Sequence, residues 1–119
     1  MFKTNNTNGF TITFGNGFTV SVQWNDFAYC SNRDLGRESD FLRDCKGLPP
    51  ITPNECKNAE VAVFMDGKWV RLARGGDSEG DDILGWASTD EVACIISIVS
   101  DKNYNGSEIR LEQRRMSDD

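Results

Sequence analysis

Apolar and polar residues alternate along "GFTITFGNGFTVSVQW": Phe10, Ile12 and Phe14 fall on one face with Thr11 and Thr13 on the other, and Phe18, Val20, Val22 and Trp24 repeat the pattern against Thr19, Ser21 and Gln23. A period of two is that of a half-buried strand, so two strands are predicted around Gly15, Asn16 and Gly17. Register decides the loop. A two-residue loop would oppose Phe14 with Thr19, whereas a three-residue loop opposes Phe14 with Phe18, Ile12 with Val20 and Phe10 with Val22, with Gly17 left-handed.

A second hairpin is read in "AEVAVFMDGKWVRLA". A two-residue Asp66-Gly67 loop pairs Phe64 with Trp69, Val63 with Val70 and Val61 with Leu72, each apolar on both sides. One face then carries Val61, Val63, Val70 and Leu72, and the other Ala62, Phe64, Trp69 and Arg71. Further on, Ser88-Thr89-Asp90-Glu91 has the form of a capping box, and Val92, Ile95, Ile96 and Val99 follow at helical spacing. This predicts a main, deeply packed helix near 89 to 100, with Cys94 among its core residues. "SEIRLEQ" alternates Ile109 and Leu111 with charges and reads as an exposed edge strand. Residues 25 to 58 lose periodicity and form a long irregular loop, broken by a short helix in "ESDFLRDCKGLPP" whose Phe41, Leu42 and Cys45 share a face. Residues 116 to 119 are expected to be a disordered tail.

These elements give an α+β fold: an antiparallel sheet of four or five strands, built from two hairpins plus an edge strand, with one main helix packed on one face. The 119 residues make one domain, 1–119, in which folding removes roughly two thirds of the unfolded chain's surface from water. One helix covers one sheet face, so the face with Phe64 and Trp69 calls for the long loop, a ligand or a second copy of the chain. A homo-oligomer is the expectation.

Composition narrows the chemistry. Thirteen basic and nineteen acidic residues leave a net charge of -6, which opposes general binding to duplex nucleic acid or anionic membranes. The start "MFKTNNTNGF" lacks a signal-peptide run, and a cytosolic setting is expected. Cys30, Cys45, Cys56 and Cys94 do not have zinc-motif spacing and are read as buried or half-buried free thiols. The absence of histidine removes the commonest base at neutral pH. A non-enzymatic protein without cofactor or metal is therefore expected.

The stretch "RGGDSEGDDILGWASTDE" joins the second hairpin to the main helix. It has neither calcium-loop spacing nor a P-loop lysine. It does bring Arg71 and Arg74, the backbone of Gly75 and Gly76, the aromatic rings of Trp69 and Trp86, and the helix N-terminus at Ser88 into one neighbourhood. Guanidinium forks and helix N-termini bind phosphate and tryptophan stacks on bases, so these seven residues are the candidate site for a small anionic, nucleotide-like molecule.

The phrases "FTVSVQW", "YCSNR", "CKNAEVAVF" and "GGD" followed by "LGWASTDEVA", spread between about Gly9 and Val99, resemble small uncharacterised accessory proteins of tailed bacteriophages. The "SEG" at Ser78 to Gly80 lengthens the loop relative to that group. The resemblance implies work in the cytoplasm of the infected bacterial host. Sequestration of a nucleotide signal, a counter-defence role, is then the leading expectation. An inhibitor binding a host protein through an exposed apolar and aromatic surface is the alternative, and a metal-dependent enzyme using the acidic loop 77–82 is the third.

Overall fold

The computed structural model describes residues 1–4, 8–33, 40–49 and 51–112. Strands β1 (Phe2–Thr4), β2 (Gly9–Thr13), β3 (Thr19–Gln23), β4 (Ala59–Met65) and β5 (Lys68–Trp69) pair in that order, all antiparallel. Strand β7 (Leu84–Ala87) pairs with β4 as the sixth member of the sheet. Strands β6 (Leu72–Arg74) and β8 (Ile109–Leu111) form a separate parallel pair. Helix α1 spans Asp40–Cys45 and the main helix α2 spans Thr89–Val99. The fold is α+β, as the patterning predicts.

The first hairpin has the expected register, with Ile12 opposite Val20 and Phe10 opposite Val22. Phe14 N donates to Phe18 O, and Gly17 takes a φ of 93°, the left-handed conformation that glycine adopts without strain. Asn16 in this loop donates from Nδ2 to the carbonyls of Val99 and Asp101 (2.7 and 3.0 Å) while its Oδ1 accepts from Phe18 N. It thereby satisfies carbonyls that a helix C-terminus leaves unpaired.

The second hairpin departs from expectation after Val70. Phe64 does oppose Trp69, and Val70 N donates to Val63 O, but Val61 lies opposite Leu84 rather than Leu72. Leu72 instead exchanges two backbone hydrogen bonds with Asp81 and pairs with Ile109. The chain leaves β4 early, and β7 returns along the vacated edge. Strand β1 extends the sheet on its other side, and "MFKT" is too short for a readable period.

The core lies between the inward face of the sheet, carrying Val20, Val22, Val61, Val63 and Val70, and a stripe on α2 made by Ile95 and Val99. Val92 and Ile96 flank that stripe, half-buried. The helix is less deeply packed than predicted: Ala93, Cys94 and Ile98 are exposed, because one side of α2 faces the sheet and Cys94 lies off it. Cys45 is exposed too, while Cys30 is buried and Cys56 half-buried. The edge strand is better covered than its charges suggest, with Ile109 and Leu111 buried and Arg110 turned out. Helix α1 buries none of its residues, and Phe41 is 66% exposed. The predicted tail 116–119 lies outside the described residues. No helix among the described residues is long and apolar enough to cross a membrane.

Candidate functional site

Arg74 ends β6 facing the first turn of α2. Its Nε and Nη2 bind both oxygens of Glu91 (2.8 and 3.1 Å), and Nη2 also donates to the carbonyls of Gly85 (3.0 Å) and Trp86 (3.4 Å). Glu91 is the same residue that closes the capping box: its Oε1 accepts from Ser88 N and its own N donates to Ser88 Oγ. The positive end of α2 is thus already met by a carboxylate of the chain, and that carboxylate by a guanidinium. Arg74 and Ser88 are structural partners of Glu91.

The turn after Arg74 is closed by Asp77, whose N donates to Arg74 O and whose Oδ2 accepts from Arg74 N. Gly75 and Gly76 are the exposed residues inside it. Arg110 Nη1 holds the turn from the β8 side through the carbonyls of Arg74 and Asp77 (3.1 and 2.7 Å). Arg71 stands outside, exposed, with Asp82 at 3.7 Å and Gly80 O at 3.4 Å.

Trp86 owes its position to a bulge. Ala59 pairs with Ala87 and Val61 with Leu84, so Gly85 and Trp86 together face the single residue Glu60. Trp86 takes a φ of 48°, a left-handed conformation in which a bulky residue is an outlier. The bulge leaves Trp86 45% exposed. Across it lies Tyr29, whose carbonyl accepts from Trp86 N and whose N donates to Glu60 Oε2, both at 2.7 Å. A Cβ on Gly85 would come within 3.0 Å of Tyr29 Cβ, so glycine is what lets the two segments approach. The Tyr29 and Trp86 rings sit 5.8 Å apart at 43°, and the Arg33 guanidinium lies 4.5 Å from the Tyr29 centroid.

These rings border an open cleft of about 710 Å³, lined also by Leu72, Arg74, Ile83 and Leu84 and by the acidic Asp77, Glu79 and Asp81. Of the seven predicted residues, Arg74 and Trp86 line this cleft. Trp69 does not: it stands on the outer sheet face, its ring 5.1 Å from that of Phe64. Sequence reading missed Tyr29, which belongs to the long irregular loop 25–58 and carries no motif. The cleft combines aromatic faces with carboxylates, and Arg74 on its lining is already ion-paired to Glu91. Among the described residues no group of three or more potential metal ligands converges. Compared with known proteins, the chain matches no family model, no curated protein and no solved structure.

Proposed function

We propose that this protein acts by occupation rather than turnover, using the Tyr29–Trp86 cleft to hold an arginine- or lysine-bearing segment of a partner protein. The carrying observation is the cleft's lining: two half-exposed aromatic rings beside Asp77, Glu79 and Asp81, with Arg74 consumed by Glu91. A cation is attracted both to an aromatic face and to carboxylates, and Arg33 over Tyr29 is an internal instance of the contact. Exposed tryptophan and tyrosine are also the residues that dominate protein interfaces. The resemblance to phage accessory proteins makes an infected bacterium's own protein the expected source of that segment, met in the cytoplasm. Inhibition of a host protein therefore fits better than sequestration of a nucleotide, which the same three carboxylates would repel. Self-association through Phe64 and Trp69 is a separate part of the reading, and a strictly monomeric particle in light scattering would remove it.

Short synthetic peptides carrying arginine beside an aromatic residue, and glutamate counterparts of equal length, test the main reading by isothermal titration calorimetry. The arginine peptides should bind, weaken with added salt, and lose about thirtyfold in affinity on Trp86→Gly, the loss of about 2 kcal/mol expected at an interface anchor. Glycine suits the left-handed backbone there, so the variant should stay folded. Mono-, di- and cyclic nucleotides, with and without magnesium, should not raise the melting temperature. A nucleotide shift that disappears on Arg71→Ala would restore the anion reading, and equal binding of arginine and glutamate peptides would overturn the present one.

A further inference from the structure

The run that follows β3 is laid along the run that precedes β4 by side-chain links. Ser31 N donates to Asn58 Oδ1 (2.7 Å), Asn58 Nδ2 donates to Ser31 Oγ (2.8 Å), and Asn32 Nδ2 donates to the Glu55 carbonyl (3.3 Å). Cys30 and Cys56 are carried by these same two runs. Asn58 Oδ1 is shared, since it also receives the Cys56 thiol at 3.7 Å, so that thiol is one acceptor atom away from the backbone beside Cys30. The Cys30 thiol itself points back to Asn25 O at 3.5 Å.

The two sulfurs differ in access. Cys30 is 1% exposed, whereas Cys56 is half-buried and lines a mainly apolar cavity of about 290 Å³ with Phe10, Val22 and Trp24. Burial pushes the Cys30 thiol up from 9.0 to about 11, and the neighbouring Cys56 adds to the rise. Cys30 is shut off from solvent while Cys56 faces the cavity, so Cys56 is the thiol that an oxidant meets first. Cys45 and Cys94 are exposed.

We propose that Cys30 and Cys56 are a modification site, a thiol pair that a hydroperoxide converts into an intramolecular disulfide, with Cys56 attacked first and Cys30 resolving. In the first step Cys56 loses its proton to water, the thiolate takes the terminal oxygen of the hydroperoxide, the O–O bond breaks, and the departing alkoxide, or hydroxide from hydrogen peroxide, takes that proton back and leaves as an alcohol or as water. Cys56 is then a sulfenic acid. In the second, the Cys30 sulfur attacks the Cys56 sulfur, the S–O bond breaks, and the departing hydroxide takes the Cys30 proton as water. The two thiols together lose two electrons and the hydroperoxide gains two. The bond ties off the loop between the two cysteines directly beside Tyr29, and it does not depend on what the cleft holds.

The test uses the full chain with Cys45→Ser and Cys94→Ser, so that the Cys30–Cys56 pair is read without altering either of its members. The reduced, folded protein is exposed to hydrogen peroxide, alkylated and weighed. Both remaining thiols should disappear together with a mass loss of two hydrogen atoms in a product without covalent links between chains, and proteolysis should yield one peptide pair joining Cys30 to Cys56 that dithiothreitol separates. Adding Cys30→Ser should send Cys56 on to a sulfinic acid, a gain of two oxygen atoms. Oxygen accumulating on Cys56 while Cys30 remains alkylatable, or a link that forms only after denaturation, would overturn the proposal.

Discussion

Removing Arg74 should cost the fold, and the size of the cost follows from its bonds. Arg74→Ala deletes a bidentate contact to Glu91 and two bonds to the carbonyls of Gly85 and Trp86. Breaking a fully buried ion pair by deleting one partner costs about 3 to 5 kcal/mol. The side chains here are 24% and 12% exposed, so water takes over part of the solvation and about 2 to 3 kcal/mol is expected. For 119 residues the unfolding entropy near the midpoint is about 0.25 kcal/mol per kelvin, which makes the loss a fall in melting temperature of about 8 to 12 °C. Thermal unfolding followed by circular dichroism measures it. A cycle of Arg74→Ala, Glu91→Ala and both together removes the capping-box contribution of Glu91, which is lost in both arms, and should leave a coupling of at least about 1 kcal/mol. A fall below about 2 °C, or a coupling near zero, would mean that Arg74 is solvated and available to a ligand after all.

Ile95→Ala should cost about 2 to 5 kcal/mol in urea unfolding, and Ile96→Ala clearly less, because Ile95 is fully buried and Ile96 only partly. Equal losses at both would misplace the packed stripe of α2. Asp40 offers a pH test: burial works to raise its pKa, but hydrogen bonds from the Thr52 side chain and the backbone N–H groups of Ile51 and Thr52 hold it below the ordinary 3.8. A depressed folded pKa means that the ionised form stabilises the fold above the unfolded value and that this is lost as pH falls through the folded value. Asp40→Asn should therefore melt lower than the parent at pH 7, with the gap closing as pH drops below about 3.8. A gap that persists at pH 2 would refute the linkage.

Elements with their own short-range rule were legible. The first hairpin follows from alternation plus a glycine in the left-handed position, and α2 from the Ser88–Glu91 box. The departure of β6 from the second hairpin was not, because the choice between Leu72 facing Val61 and Leu72 facing Ile109 is settled by contacts remote in sequence. The site shows the same division. Sequence brought Arg74 and Ser88 together correctly, yet the Glu91 side chain that occupies both was read only as a cap. Trp86 is a candidate stacking ring in the sequence, but its exposure and the bulge that aims it require knowing that Glu60 is the lone residue opposite Gly85 and Trp86. Nothing in the residues around Tyr29 announces its role, which comes from backbone bonds to Glu60 and Trp86.

The Asn16 clamp has a consequence for the order in which the molecule is made. Its donors reach the carbonyls of Val99 and Asp101, 83 and 85 positions downstream. At about 5 to 20 residues per second of synthesis, the first hairpin leaves the ribosome some 4 to 17 s before its helical partner exists. During that interval Val20 and Val22 have no α2 to cover them. A nascent chain of this protein thus carries an uncovered apolar sheet face for longer than most elementary folding events take. Any holding factor that shields young chains would find its substrate there, and closure of the loop on α2 would end the need for it.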